Sequence, residues 1–134
     1  MAKRDKYDDL RDWINGAQAA LNLTEWVITI SRDASESDAW ADIDPHEQAY
    51  RATLRVSNDF WRQPSNKQLE VLSHELAHLF LARADQVVYT LEQPLGKLAW
   101  AIFEPLFDNA SEAATDRISL LLKRLLVEPN LPKA

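Results

Sequence analysis

Two of the three histidines in this chain stand four residues apart, as His74 and His78, and Glu75 directly follows the first of them. On an α-helix, residues four apart lie one turn apart on the same face, so the two imidazoles can bind one cation. Glu75 is turned by about 100° from His74 around such a helix, which places its carboxylate beside the cation rather than on it. This H-E-x-x-H pattern therefore predicts a metal site at which Glu75 can act as a base.

The same residues also have a purely structural interpretation. Two histidines can be hydrogen-bonded polar groups on a core helix, and a glutamate beside them can be a solvated charge. A single histidine would favour that interpretation. The complete five-residue pattern favours a metal, because two imidazoles without partners in an apolar helix would carry a desolvation cost.

A catalytic zinc ion normally has three protein ligands, so a third ligand has to come from elsewhere in the chain. The chain has no cysteine, which leaves carboxylates and the remaining histidine. Glu112 and Asp116 are again four residues apart, so Glu112 can bind the metal while Asp116 accepts the outer N–H of a ligand histidine. Glu112 is the preferred third ligand, and Glu104, Asp108 and His46 remain candidates.

Two long helices are predicted to carry these residues. The first covers about residues 66–84, and Ser65 in front of it begins a capping-box pattern. The second runs to about Val127 after a short helical stretch, and Pro105 is expected in its first turn, where the missing N–H of proline does no harm.

The remaining elements are one helix and a small sheet. Apolar residues recur at steps of three and four over residues 5–23, which predicts an amphipathic helix. Three segments have the composition or alternation of strands, namely 26–31, 39–44 and 50–56. No repeat or linker divides the chain. The prediction is a single α+β domain over residues 1–134, with a mixed or antiparallel sheet of about three strands against the H-E-x-x-H helix and a C-terminal ligand-bearing helix.

The composition excludes several classes of function. The chain has 21 acidic against 15 basic residues and a net charge of -6, which argues against a nucleic-acid partner because that affinity depends on clustered Lys and Arg. The absence of cysteine excludes disulfides, thiolate catalysis and iron–sulfur clusters. No stretch approaches the roughly 18 apolar residues of a membrane span, and no apolar stretch follows the basic residues near the start, as a secretion signal would require. We therefore expect a cytoplasmic protein with no membrane partner.

The H-E-x-x-H that begins at His74, followed by the E-x-x-x-D that begins at Glu112, resembles the motifs of the gluzincin metallopeptidases, the thermolysin-like class. The small size of the chain and its tryptophan-bearing strand at residues 26–28 also resemble the minimal zincin-like metallopeptidases of phages and prophages. The resemblance covers mainly residues 26–126.

This resemblance implies a function and a role for each motif residue. It implies one Zn²⁺ per chain, bound by His74, His78 and Glu112. It implies that Glu75 is the general base, which takes a proton from zinc-activated water and returns it to the leaving amine. Asp116 would support a ligand histidine. The implied protein is a zinc metallopeptidase, a hydrolase that acts on a peptide or protein substrate.

The chain departs from that class in two respects. It lacks a large second domain, and no residue is clearly assigned to steady the oxyanion, for which Tyr89, His46, Tyr50 and Arg117 are candidates. We also expect an extended peptide to pair with a free edge of the strand at 50–56.

Two further functions remain open at this point. One is a non-catalytic, zinc-stabilised interaction or regulatory module of phage origin, which would bind zinc without hydrolysing peptides. The other is a metal-dependent nuclease, which the acidic composition disfavours. The oligomeric state and the natural substrate stay open.

Overall fold

The computed structural model describes residues 3–35, 39–46 and 49–133. These residues form three helices and three strands: α1 (Lys6–Ala20), β1 (Val27–Ile30), β2 (Ala41–Pro45), β3 (Arg51–Val56), α2 (Ser65–Tyr89) and α3 (Glu92–Leu125). A short 3-10 helix, Asn58–Arg62, connects β3 to α2. The chain is one small α+β domain, which confirms the predicted fold class. None of the helices described is both long and apolar enough to cross a lipid bilayer.

The three strands form a mixed sheet with β3 in the middle. β1 pairs with β3 in parallel, and β2 pairs with it antiparallel, so Leu54 of β3 lies opposite Ile30 on one side and Ile43 on the other. Both long sides of β3 are therefore hydrogen-bonded. The expectation that a peptide pairs with the free edge of the strand at 50–56 is wrong, because the open edges of this sheet belong to β1 and β2.

The hydrophobic core lies between the sheet, α1 and α2. Leu10 and Ile14 of α1 are fully buried, as are Leu72 of α2 and Trp61 of the 3-10 helix. Burying a side chain of this kind contributes about 1.5–3 kcal/mol each. Leu72 and Leu76, one helical turn apart, point into this core. The face of α2 that carries the histidines therefore points away from it.

The N-terminus of α2 is built differently from the prediction. Ser65 is the first residue of the helix and Pro64 stands in the capping position, without a side-chain hydrogen bond. The carbonyl of Pro64 instead accepts the backbone N–H groups of Lys67 and Gln68, each at 3.0 Å. The Gln68 side chain is fully buried and donates to the carbonyl of Phe60 at 3.1 Å. The predicted capping box at Ser65 is therefore wrong, because its partner glutamine is used to attach the helix to the 3-10 segment.

α2 and α3 form a long antiparallel hairpin. Its one irregularity among the described residues lies near the start of α3, where Gly96 has φ +82° and ψ 169°. The helix then continues through Pro105, so the expectation that Pro105 opens a separate helix is wrong. A proline inside a helix frees the carbonyl one turn earlier, here that of Ala101, which is exposed to water. Aromatic contacts on both sides of the proline hold the helix together, including stacked rings of Phe103 and Phe107 at 5.9 Å.

Candidate metal centre

The candidate centre lies between the facing surfaces of α2 and α3. The Nε2 atom of His74 is 3.0 Å from Oε1 of Glu112, and the Nε2 atom of His78 is 4.0 Å from Oε2 of the same carboxylate. One ligand atom from each of the three residues lies within 4.8 Å of the other two. The two imidazole rings meet edge to face, with centroids 4.8 Å apart. Three potential ligands predicted from two separate motifs therefore meet at one point.

Asp116 holds the other side of the His74 ring. Its Oδ1 is 3.2 Å from Nδ1 of His74, one turn along α3 from Glu112. When Nδ1 donates its hydrogen to Asp116, Nε2 of the neutral ring carries the lone pair and faces the Glu112 carboxylate. Such a hydrogen bond fixes the tautomer and raises the basicity of a metal-binding histidine.

The donor set fits a zinc ion. Zinc bonds of about 2.0–2.2 Å in a tetrahedral arrangement place neighbouring ligand atoms roughly 3.3 Å apart. The observed separations of 3.0 and 4.0 Å lie on either side of that value. Two nitrogen lone pairs and a carboxylate facing each other repel unless a cation or a proton lies among them. Two imidazoles and one carboxylate are also a common ligand set of catalytic zinc.

Glu75 lies beside this group and is not part of it. Its side chain is only 9% exposed, and burial raises the pKa of this carboxyl to about 8. The backbone N–H of Ile43 in β2 acts in the opposite direction by hydrogen-bonding the carboxylate, while the negative charges of Asp42 and Glu112 raise the pKa further. Glu75 is thus held between α2 and β2, beside the group of His74, His78 and Glu112.

The surroundings of His78 shift the pKa of its imidazole. Its burial lowers the pKa of the imidazole, although the carboxylate of Glu112 acts in the opposite direction. A lowered pKa favours the neutral ring, which is the form that binds metal ions.

A groove runs past the centre, and β2 forms one of its walls. A cavity of about 570 Å³ lies on the His74 side and one of about 350 Å³ on the His78 side, and Glu75 lines both. The N–H of Ser57 donates to the carbonyl of Trp40, and the N–H of His46 donates to the carbonyl of Arg51. Trp40 and His46 flank β2, so these two pairs fix which positions of the strand are hydrogen-bonded to β3. Because these pairs alternate along an antiparallel ladder, the backbone groups of Ile43 face away from β3 and into the groove. The open strand edge at the centre is therefore that of β2.

The other candidate ligands lie elsewhere. Nε2 of His46 is 2.9 Å from the hydroxyl of Thr53. Asp108 accepts a hydrogen bond from the hydroxyl of Tyr89. Glu104 lines a separate cavity near the start of α3. The group that could bind a metal in the described part of the chain includes neither this histidine nor these two acids.

Of the four candidates for steadying an oxyanion, Tyr89 alone lines one of the two cavities at the centre. Its hydroxyl donates to Asp108, and this hydrogen bond is the main reason that its pKa is raised to about 12. Tyr50 packs edge to face on Trp26, with ring centroids 5.3 Å apart. His46 and Arg117 line neither cavity.

Sequence reasoning missed two residues of the groove. Asp85 lines the smaller cavity and accepts a hydrogen bond from Ser111 at 3.0 Å. Lys123 lines the larger one. Each is about two helical turns from a motif residue, Asp85 from His78 and Lys123 from Asp116. That seven-residue spacing is a signal in the sequence that places them on the same helix faces.

Comparison with protein-family models, curated proteins and solved structures finds no match to this chain.

Proposed function

We propose that this protein is a zinc metallopeptidase that binds one Zn²⁺ through His74, His78 and Glu112. The observation that carries the proposal is the Glu112 carboxylate lying within 4.0 Å of a nitrogen of both histidines, with the buried Glu75 carboxyl next to them. The spacing within the H-E-x-x-H motif alone would leave the third ligand open, and the contact between α2 and α3 supports Glu112.

Zinc bound at this site would supply a Lewis acid that acidifies water and polarises a peptide carbonyl. Glu75 would accept a proton from the attacking water and return it to the nitrogen of the leaving amine. Asp116 would keep the ring of His74 in the tautomer that leaves Nε2 free to bind. Burial of Glu75 keeps bulk water from competing for its proton.

The groove supports a peptide as the substrate. The backbone carbonyl of Ile43 at the open edge of β2 can accept a hydrogen bond from an extended peptide, whereas its N–H already donates to the Glu75 carboxyl. Cavities on both sides of the centre can take up substrate side chains. A peptide bond laid along β2 would pass the carboxyl of Glu75.

Metal analysis tests the ligand set. Protein loaded with zinc and freed of excess metal should contain about one zinc per chain, and His78→Ala and Glu112→Ala should lose it. His46→Ala is the matched control and should keep its zinc, because His46 bonds Thr53 outside the centre. Full zinc in Glu112→Ala would contradict the proposed ligand set.

Hydrolysis tests the enzyme. Zinc-loaded protein should cleave members of a broad peptide pool, and Glu75→Gln should keep the zinc and lose the cleavage. A zinc-loaded protein that cleaves no peptide would exclude the peptidase and leave a zinc-binding module.

That module is the second candidate function, and one observation favours it. α3 carries apolar side chains that are largely exposed, namely Leu98, Ile102 and Leu106. Apolar residues at this helical spacing are typical of protein-binding surfaces. The zinc would then stabilise the hairpin of α2 and α3 that presents them.

A further inference from the structure

The larger cavity beside the centre carries two lysines at its far end. Lys67 lies about two turns before His74 on α2, and Lys123 lies about two turns after Asp116 on α3. Because the two helices are antiparallel, both steps run in the same direction, roughly 10 Å from the centre at 1.5 Å per residue. Both lysines line the cavity, as do the acidic residues Glu70 and Asp116.

The two lysines differ in their partners. Nζ of Lys67 is 3.3 Å from Oε1 of Glu70 and 5.9 Å from the ring of Trp40, so its charge is already partly balanced. Lys123 is half-buried, and no residue in the described ranges forms a hydrogen bond or an ion pair with it. The free positive charge at this end of the groove is therefore that of Lys123.

The opposite end of the groove has the opposite charge. Asp42 and Asp85 line the smaller cavity on the His78 side, and no lysine or arginine of the described chain does. Asp42 is paired with Arg55 at 3.0 Å, whereas Asp85 has only the hydroxyl of Ser111 as a hydrogen-bond donor in the described residues. In the larger cavity Glu70 is paired with Lys67 and Asp116 contacts His74. Among the described residues, the charges that form no ion pair are therefore that of Lys123 on the His74 side and that of Asp85 on the His78 side.

Apolar side chains lie between Lys123 and the centre. Val71 and Leu120 line the same cavity, together with the partly exposed ring of Trp40. A ligand that fits this surface is apolar along its length and negative at its tip. A carboxylate on a peptide has that chemistry, and a lysine ammonium binds it as a point charge.

We propose that Lys123 binds a carboxylate of the substrate at the end of the larger cavity, so that the protein selects peptides with an acidic group on the His74 side of the scissile bond. The inference rests on the proposed peptidase function. An extended peptide rises about 3.3 Å per residue, so roughly 10 Å corresponds to an acidic group two to three residues from the bond. The carboxylate belongs to an Asp or Glu side chain or to the C-terminus of the peptide.

Lys123 also has a structural role, and a matched variant separates this role from the binding of a carboxylate. It stands in the last turn of α3, where a positive charge stabilises the helix dipole. Arg124 stands in the same turn and does not line the cavity. Lys123→Gln and Arg124→Gln therefore remove the same charge from the same helix end, and Lys123 alone is expected to affect binding. Lys123→Arg keeps the charge and should restore it.

The test is a binding measurement on the zinc-loaded full chain carrying Glu75→Gln, so that no peptide is consumed. The probes are three pools of acetylated heptapeptides built from Ala, Leu, Phe, Ser and Gln. One pool has a C-terminal amide, the second is the same with Gln replaced by Glu, and the third has the Gln composition with a free C-terminal carboxylate. Retention on immobilised protein is measured by mass spectrometry.

We expect the Glu pool, the free-carboxylate pool or both to be retained about fivefold more strongly than the Gln amide pool, as one partly solvated ion pair allows. Lys123→Gln should abolish this preference, whereas Arg124→Gln and Lys123→Arg should keep it. Retention of the Glu pool alone assigns the site to a side chain, and retention of the free-carboxylate pool alone assigns it to the peptide terminus. Equal retention of all three pools, no retention of any, or an unchanged preference in Lys123→Gln overturns the inference.

Failure of this inference is distinguishable from failure of the peptidase proposal. Zinc-dependent cleavage of the pools without any preference for acidic peptides would remove the role of Lys123 and leave the peptidase. Selective retention of acidic peptides that depends on Lys123, in a wild-type protein that hydrolyses none of them, would leave a carboxylate-binding groove and remove the peptidase.

Discussion

Removing the charge of Glu75 should stabilise the metal-free protein at neutral and alkaline pH. The carboxyl is almost completely buried, and this burial raises its pKa from the ordinary value of 4.5 to about 8. Between these two values the folded protein holds a proton that the unfolded chain has released. The free energy of unfolding therefore falls as the pH rises through this window, and it is flat again above the pKa of the folded state.

The size of the effect follows from the shift. One pKa unit corresponds to about 1.4 kcal/mol, so a rise from 4.5 to about 8 destabilises the folded protein by roughly 4–5 kcal/mol once the carboxyl is ionised. This is comparable with the whole stability of a marginal domain. Glu75→Gln replaces the carboxyl by a neutral group of the same shape. The variant should match the wild type near pH 4.5 and exceed its free energy of unfolding by roughly 4 kcal/mol near pH 8.

Urea unfolding followed by tryptophan fluorescence measures this difference, with a chelator present to keep the protein free of metal. Glu70→Gln is the matched control, because Glu70 lies on the same helix with its side chain 54% exposed, and its difference from the wild type should not grow with pH. A constant difference between Glu75→Gln and the wild type from about pH 5 to pH 8 would refute the reasoning.

Five further variants have expected outcomes. Asp116→Asn should weaken zinc binding about tenfold, because a neutral amide oxygen replaces the charged carboxylate as the acceptor for the ring of His74, whereas Asp108→Asn on the same helix should leave the affinity measured by competition with a chelator unchanged. Gly96→Ala should lower the free energy of unfolding by about 1–3 kcal/mol, because φ +82° with ψ 169° is strained for any residue with a Cβ. Gly16→Ala, inside α1 with no atom within 4 Å of the added Cβ, should instead raise it by about 0.5–1 kcal/mol. Leu10→Ala should lower the melting temperature through a loss of about 2–5 kcal/mol, since its side chain is fully buried, and an unchanged melting temperature would contradict the assigned core.

Local patterns in the sequence were enough to locate the strands and helices but not to arrange them. The segments 26–31 and 50–56 contain an observed strand and 39–44 overlaps one, because alternation of apolar and polar residues reports which face of a strand is buried. The same alternation says nothing about which strand is the neighbour, so the central position of β3 could not be derived. The single helix through Pro105 was also missed, since the contacts of Tyr89 on α2 with Trp100 and Phe107, on either side of the proline, are tertiary.

The candidate site was likewise predictable within one helix but not between two helices. His74, Glu75 and His78 share one helix, so their spacing alone places them on one face. Glu112 stood among several possible ligands in the sequence, because the register between α2 and α3 determines which acid reaches the histidines. That register is fixed by contacts far apart in the chain, such as the hydrogen bond between Ser111 and Asp85.

The central position of β3 has a consequence for the order in which the protein can assemble on the ribosome. β3 is synthesised after both of its neighbours, so neither of them has a pairing partner until Val56 has left the exit tunnel. The core gains Leu131 only after α3 has been synthesised. β1 and β2 are therefore expected to stay unpaired, and accessible to chaperones, while β3 is still being made.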